Sequence, residues 1–461
     1  MPSRRGMVFC KAQMDSDNTV FSPPALADAL RRLGLSSATP LKIAFSGGLD
    51  SCVLLHGLCQ LREAQALRLH ALHVDHGLHV HSSDWARQAQ LTCERLNVPC
   101  TVERAQVTQA GGQGLEAAAR RARYAALARH IGPGEVLLTA HQADDQAETV
   151  LLQLLRGAGV HGLAAMPAIM PFHAGRLARP LLDFTRAQLA AWAAQENLSW
   201  IEDTSNSDLR FSRNYLRHRV FPLLEAHWPG ASRRMTRSAG VAAEAVELLD
   251  ELAQSDWNGC HGAEPDALSV SALRRLPAPR CRNLLRYWLR RRGFQAPSAM
   301  HLDQVLAQVM RDPRSNQATI RWPGLEVCRY RDELTVRVPP GNMDPAWNAA
   351  WQLTDPLDIP GVGQLRAEPV RGDGLSRERI AQMPLTVRLR RGGEVCRLPG
   401  RVHHHKLKKL LQEAGVPPWE RKRLPLVYAD ADLAAIGDRW VCEPYAARGN
   451  EPGWKLRLEL T

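Results

Sequence analysis

The sequence predicts an α/β protein: a doubly wound, mostly parallel sheet, followed by a central mainly helical domain and a small α/β C-terminal domain. Three observations predict it. Between residues 41 and 156 short apolar runs of strand character alternate with stretches of helical periodicity, and the first run ends in a Gly-Gly turn that opens a helix. Past Pro229-Gly230 that alternation gives way to helices. A chain of 461 residues holds two or three domains of ~100 to 200 residues each. Its 45% hydrophobic and 23% charged residues are those of an ordinary globular protein, which excludes a disulfide-stapled miniature or a disordered chain.

Taken in order, residues 23–33 form a short helix after a polar leader, and the strand 41–45 leads through Ser46-Gly47-Gly48 into a helix over 50–59. Further strand and helix pairs follow at 68–75 and 83–96, at 100–105 and 115–130, and at 135–140 and 144–156. Such a sheet presents ligands at the carboxyl ends of its strands. The middle region has helices over 239–252, 280–292 and 300–310, then strands at 318–322, 325–330 and 333–338. Pro339-Pro340-Gly341 reads as a linker, and the remainder has strands at 385–389, 426–429 and 433–436 around a basic helix at 405–414. The expected divisions are therefore 1–38, a leader and short helix; 39–228, the nucleotide-binding domain; 229–342, the central domain; and 343–461, the C-terminal domain.

Charge points to a polyanionic partner. The 59 Lys and Arg against 47 Asp and Glu leave +12, and 11 basic against 3 acidic residues lie between 388 and 423 alone. Lys406, Lys408 and Lys409 fall there. The ten cysteines contain no C-x-x-C pair and read as reduced thiols of a cytosolic protein. No secretory core and no apolar run of ~18 residues occurs, so neither export nor membrane insertion is expected.

The sharpest chemical signal is Ser46-Gly47-Gly48-Leu49-Asp50-Ser51, between a strand and a helix. Glycines let backbone approach a ligand closely, and amides at the helix start converge with two hydroxyls on an anion. A Walker lysine is absent. The bland reading, a serine-capped glycine turn, accounts for the glycines but not for all six positions in this context. His73 and His76 end the second strand, where nucleotide contacts arise, although two solvated histidines would look the same. His141, Asp144, Asp145 and Glu148 open a helix with spacings that bring them near one face. Dipole complementation explains Asp144 and Asp145 but neither His141 nor Glu148; like carboxylates on one face repel by a few tenths of a kcal/mol per pair, which a cation relieves. Arg120, Arg121 and Arg123, like Arg213 and Arg217, suit phosphate or base edges, with solvated helix faces as the alternative.

The loop resembles the S-G-G-x-D-S loop of the PP-loop ATP pyrophosphatases. His73-Val-Asp-His76-Gly-Leu78 and Thr139-Ala-His141-Gln-Ala-Asp144-Asp145-Gln-Ala-Glu148-Thr149 are similar to segments of the tRNA(Ile)-lysidine synthetase family, with Gln142 where its pattern carries a second histidine. Segments around Glu116, Arg156, Arg179, Glu202 and Arg213 continue the match through residue 217. The C-terminal stretch from Arg388 to Tyr428 also resembles that family, with Leu411 in place of its phenylalanine, while 230–345 matches weakly.

The resemblance implies ATP-dependent ligation of free lysine to C2 of the wobble cytidine in an isoleucine tRNA with a CAU anticodon, through an adenylated base, releasing pyrophosphate and then AMP. It implies that Ser46, Gly47, Gly48, Leu49, Asp50 and Ser51 hold the phosphates, that His73, His76 and His141 line the nucleotide site, and that Asp50 binds Mg²⁺. Asp145 and Glu148 are expected to anchor the lysine ammonium, with Asp144 nearby. Arg121 or Arg213 would steady the α-phosphate or the tRNA backbone; Arg217, Lys406, Lys408 and Lys409 would contact tRNA. An oligomer is compatible with all of this. Two rivals remain at this stage: a tRNA thiolation enzyme, disfavoured by the missing C-x-x-C, and a non-catalytic RNA-binding protein, disfavoured by the intact loop.

Overall fold

The structure, a computed structural model, describes residues 20–77, 81–105, 115–202, 208–264, 266–294, 297–311, 317–339 and 343–460. Most of the leader, Leu78, the stretch 203–206, Pro340 and Gly341 lie outside them. Two compact units divide at Leu252 and Ala253. The expected boundary near 229 lies ahead of this division, because one helix of 29 residues runs from 231 to 259 and its first part packs in the first unit through Ala243 and Val246 against Ala164.

In the first unit, helix α1 (Pro23–Arg32) starts at Ser22, whose hydroxyl accepts from the Ala25 amide, with prolines in the first turn. Then come β1 (Leu41–Ala44), α2 (Leu49–Gln65), β2 (Leu69–Asp75), α3 (Ser82–Arg95), β3 (Cys100–Arg104), α4 (Leu115–Ala128), β4 (Val136–Leu138) and α5 (Ala143–Leu155). A short helix α6 (Val160–Leu163) precedes the hairpin β5 (Ile169–Phe172) and β6 (Gly175–Ala178), then α7 (Arg186–Gln195). The unit continues through α8 (Ser212–Tyr215), a π-helical turn over Leu216–Val220, α9 (Phe221–His227) and α10 (Ala231–Gly259).

The sheet order is β3-β2-β1-β4-β6-β5. All neighbours run parallel except β5 against β6. All three β4 residues are 0% exposed, as a strand covered on both faces requires. From β1 the chain moves outward to β2 and β3, then crosses back to β4, so the order reverses between β1 and β4. That switch point is where the carboxyl ends of strands leave a crevice. The Gly47 loop follows β1, and the His141 to Glu148 segment follows β4.

In the second unit, helices Ala278–Arg291 and Ala299–Met310 cover a four-stranded antiparallel sheet containing Gln317–Trp322, Leu325–Tyr330 and Glu333–Arg337. The arginines of the first helix are largely engaged within the unit. Arg280 binds buried Asp256, Arg282 binds Asp303 at 3.1 Å, Arg292 binds Asp266 at 2.7 Å and Arg291 lies over Trp257. The described residues from 343 onward form two larger antiparallel sheets, one around Pro425–Ala429 and one around the nine-residue pair Gly363–Arg371 and Pro452–Leu460, and a two-stranded sheet of Val395–Cys396 with His405–Lys406. The basic helix is shorter than expected, Leu407–Glu413, with Lys406 in a two-residue strand that caps it. Leu407, Leu410 and Leu411 are its buried face, while Lys406, Lys408 and Lys409 are exposed. Part of the basic run is structural: Arg421 is buried and donates to the Val416 carbonyl at 2.7 Å, and Arg388 stacks over Tyr428.

Candidate active site

Gly47 turns the chain after β1 with φ +82°, a region that favours glycine. Its carbonyl accepts from the Ile201 amide at 2.8 Å, and a Cβ there would stand 2.5 Å from Ile201 Cδ1. The Ser51 hydroxyl donates to the Gly48 carbonyl at 2.9 Å, so its oxygen is left to accept from Ser46, 3.0 Å away. Gly48 donates its amide to Ser46 Oγ at 3.3 Å and caps α2 without a side chain. The first amides of a 17-residue helix therefore point at the loop with no internal acceptor, an arrangement that attracts anions. Leu49 is buried under it.

Asp50 stands in the first turn of α2. Arg186 Nη1 donates to its Oδ2 at 3.2 Å, whereas Oδ1 is buried and unpartnered. Burial pushes its carboxyl up to about 6; Arg186 opposes this, and Asp145 and Asp144 add to it. Among the described residues no three His, Cys, Asp or Glu side chains converge to hold a metal by themselves. Mg²⁺ is usually bound through one or two carboxylates together with substrate phosphates, so the orphaned Asp50 oxygen beside a phosphate loop fits it.

Helix α5 carries the carboxylates, and Gln142 fixes its first turn. The Gln142 amide oxygen accepts from the backbone of Asp144 at 2.5 Å and of Asp145 at 3.4 Å, and its own backbone amide donates to Asp145 Oδ2 at 3.2 Å. Gln142 is 0% exposed. Asp144 turns the other way and accepts from the Arg186 amide at 2.8 Å, tying α5 to the start of α7. Glu148 is 1% exposed and faces Arg217. Arg217 Nε donates to Glu148 Oε1 at 2.7 Å, and Nη2 reaches Glu148 Oε2 at 3.1 Å and Asp145 Oδ1 at 3.0 Å. Arg213 Nε lies 3.5 Å from Glu148 Oε2, and its Nη2 donates to Thr149 Oγ1 at 2.8 Å. Burial pushes the Glu148 carboxyl up to about 7, against the pull of Arg217.

The three histidines lie at the carboxyl ends of strands, His73 and His76 at that of β2 and His141 after β4. His73 is 5% exposed and donates Nδ1–H to the Phe45 carbonyl at 2.9 Å. His76 has a buried Nδ1 without a partner, and His141 Nδ1 lies 2.9 Å from Thr139 Oγ1. Burial lowers all three, and the charges of Arg179, Arg120, Arg123 and Arg213 push His141 further down. Each is thereby pushed toward its neutral form, and the arginine charges bear on His141 and, through Arg123, on His76.

The expected residues thus meet in two groups. Ser46, Asp50 and Ser51 gather at the loop, and Arg213 of α8 and Arg217 of the π-helical turn meet Asp145 and Glu148 of α5. Arg121 is exposed, while Arg120 and Arg123, one helical turn apart, are the α4 residues whose charge reaches His141. Lys406, Lys408 and Lys409 belong to the second unit. Arg186 was missed altogether. A cation opening a helix opposes the macrodipole, and Thr185-Arg186-Ala-Gln188 marks such an opening, so its position was a readable signal.

Family models match three segments: one described as the PP-loop domain over residues 25–224, one as the TilS substrate binding domain over 268–335, and one as the TilS substrate C-terminal domain over 385–458. Curated relatives match nearly the whole chain. The tRNA(Ile)-lysidine synthase of Alkalilimnicola ehrlichii is 46% identical over 442 residues, covering 95% of this chain and 97% of that protein. The protein of the same name from Methylococcus capsulatus is 42% identical over 417 residues (90% and 95%), and that of Coxiella burnetii 40% over 445 residues (95% and 97%).

Proposed function

Because the chain belongs to the tRNA(Ile)-lysidine synthase family, we propose that it uses ATP to ligate lysine to C2 of the wobble cytidine of a CAU-anticodon isoleucine tRNA, which switches decoding from AUG to AUA. It is an ATP-dependent ligase acting on tRNA. In the first step the cytidine C2 oxygen attacks the α-phosphorus, forming an adenylated base and releasing pyrophosphate. In the second the ε-amine of lysine attacks C2 and AMP leaves.

Ser46, Gly47, Gly48, Leu49 and Ser51 hold the phosphates through backbone amides and hydroxyls, and His73, His76 and His141 line the nucleotide site as neutral imidazoles. Asp50 holds Mg²⁺, which when bound supplies positive charge to the leaving pyrophosphate. Asp145 and Glu148 bind the ammonium, and Glu148, poised near neutrality, accepts the proton that the attacking nitrogen must lose. Asp144 positions α5 through Arg186. Arg213 supports Glu148, and Arg120 and Arg123 take the anion-facing role expected of Arg121, which is left to contact the tRNA backbone. Lys406, Lys408 and Lys409 contact phosphates of the tRNA. Residues 39–228 are assigned to catalysis, 229–342 and 343–461 to tRNA binding, and the protein to the cytoplasm. Among the described residues no helix is long and apolar enough to cross a membrane.

One observation carries the lysine reading: a carboxylate pair one helical turn apart, one member buried, whose oxygens already bind a cationic side chain. A thiolation chemistry would instead require sulfur delivery, for which the cysteine spacing offers no C-x-x-C. The test incubates the protein with ATP, Mg²⁺, labelled lysine and CAU-anticodon isoleucine tRNA, with methionine tRNAs of the same anticodon as controls. Label in the isoleucine tRNA alone, with one pyrophosphate released per lysine, is expected; no label in any tRNA refutes the assignment.

A further inference from the structure

All four oxygens of the proposed ammonium site are engaged. Glu148 Oε1 accepts from Arg217 Nε, Glu148 Oε2 and Asp145 Oδ1 accept from Arg217 Nη2, and Asp145 Oδ2 accepts from the Gln142 backbone. Glu148 is closed to solvent. With Arg213 Nε also 3.5 Å from Oε2, a further cation reaches this carboxylate only by displacing one already there. The side chain that blocks it is carried by an unusual element, the π-helical turn Leu216–Val220 between α8 and α9. π-Turns inside helices are rare and frequently mark functional sites. Leu216 and Phe221 at either end of this turn pack with Ala147 of α5, so the turn is anchored to the helix that carries the carboxylates.

We infer that Arg217 is the resident counter-ion of the lysine site, occupying the place of the substrate ammonium until lysine exchanges for it. The inference rests on the assignment of Asp145 and Glu148 to lysine. Removing Arg217, the cation hydrogen-bonded to this buried carboxylate, is strongly unfavourable, whereas replacing it by another cation keeps the charge compensated. Arg213, 3.5 Å from Glu148, stays in place during the exchange. The arrangement also filters ligands. An amino acid without a cationic side chain cannot replace the guanidinium and leaves the pair closed. Arg217 is thus a positioning residue that taxes lysine affinity, because only the fraction of molecules with Arg217 displaced is competent to bind.

The test compares Arg217→Gln, Arg217→Ala and Glu148→Gln in the full-length protein, measuring lysine affinity by calorimetry and lysine KM and kcat for transfer to pre-adenylated tRNA. Both Arg217 variants are expected to bind lysine roughly three- to tenfold more tightly, as removal of the competing state requires, with KM falling and kcat not rising. In Arg217→Ala, added guanidinium ion is expected to restore thermal stability and raise lysine KM again, and to do neither in the parent. Glutamine retains hydrogen-bonding groups beside Glu148, so one variant keeps the fold if alanine does not. If Glu148→Gln raises the lysine requirement while Arg217→Gln leaves lysine affinity unchanged or weaker, the exchange is wrong and the site assignment stands. If Glu148→Gln leaves lysine binding unaltered, the site assignment itself falls, and the exchange with it.

Discussion

Arg186 and Asp50 join the phosphate loop to a helix that begins 136 residues later: Arg186 Nη1 donates to Asp50 Oδ2 at 3.2 Å. The other Asp50 oxygen is left buried and free of protein partners. Arg186 therefore compensates half of a carboxylate whose remaining half is available to a metal ion.

Asp50→Asn is accordingly expected to lower pyrophosphate release by about a hundredfold or more, the usual cost of losing a group that stabilises developing charge. The fold should not suffer. The ionised carboxyl is disfavoured by burial, so its neutral isostere is expected to melt at the same temperature or higher near pH 7. Pyrophosphate release and a thermal melt, measured side by side, check both halves; normal release with the variant would remove Asp50 from the reaction.

The raised carboxyl of Glu148 predicts a pH profile. Its ionised form is the proton acceptor, so single-turnover lysine transfer to pre-adenylated tRNA is expected to rise with pH through about 7 and then level off. Glu148→Gln should flatten the profile at a low rate. The sign for stability is opposite: since the folded value lies above the ordinary 4.5, this carboxyl's contribution is full below 4.5 and is lost as pH rises through about 7. Melts of the parent should show that decline through about 7, and melts of Glu148→Gln should keep only the part below about 6 that Asp50 contributes.

Gln142→His is expected to keep near-parental activity. The amide oxygen at 142 is a helix cap, and an imidazole nitrogen can accept the same backbone hydrogen bonds. Gln142→Leu removes the acceptor and should cost about 0.5 to 2 kcal/mol, with lysine KM rising as the first turn of α5 loosens around Asp145. Equal behaviour of the two variants in urea melts would show that the cap carries no weight.

Replacing Lys406, Lys408 and Lys409 together with alanine is expected to flatten the slope of log tRNA affinity against log salt by roughly 0.7 to 0.9 per lost phosphate contact. The ion pair of Lys409 with Glu413 is exposed and long, at 4.0 Å, so its loss should leave stability nearly unchanged. An unaltered salt slope would mean that these lysines face solvent when tRNA is bound.

Much of this was legible in the chain. Interior β4 reads clearly because a strand buried on both faces is an apolar run, whereas β1, which includes Lys42, was marked by the glycine turn that follows it. The β5–β6 hairpin was not read, since Pro171 and Gly175 interrupt it; β5 lies at the sheet edge, where a proline is tolerated. The long strand 363–371 was hidden for a related reason: Pro369 lies beyond the part paired with Leu357–Ile359. Asp145 and Glu148 could be placed together because three residues along a helix is local arithmetic. The same arithmetic separates Arg120 and Arg123 from Arg121, which needed only the phase of α4. The ties of Arg186 to Asp50 and of Arg217 to Glu148 span 136 and 69 residues, and no local periodicity encodes them.

The close fit of Gly47 against Ile201 has a genetic consequence. Every missense codon one base away from a glycine codon specifies a residue with a Cβ, so position 47 has no neutral single step open to it. Trimming Ile201 would clear the space but leave the positive φ, so a second change at 201 relieves only half of the defect. Revertants of a Gly47 substitution selected for growth should therefore restore glycine itself rather than arise at its neighbour, and drift in this loop is confined to positions whose backbone any residue can adopt.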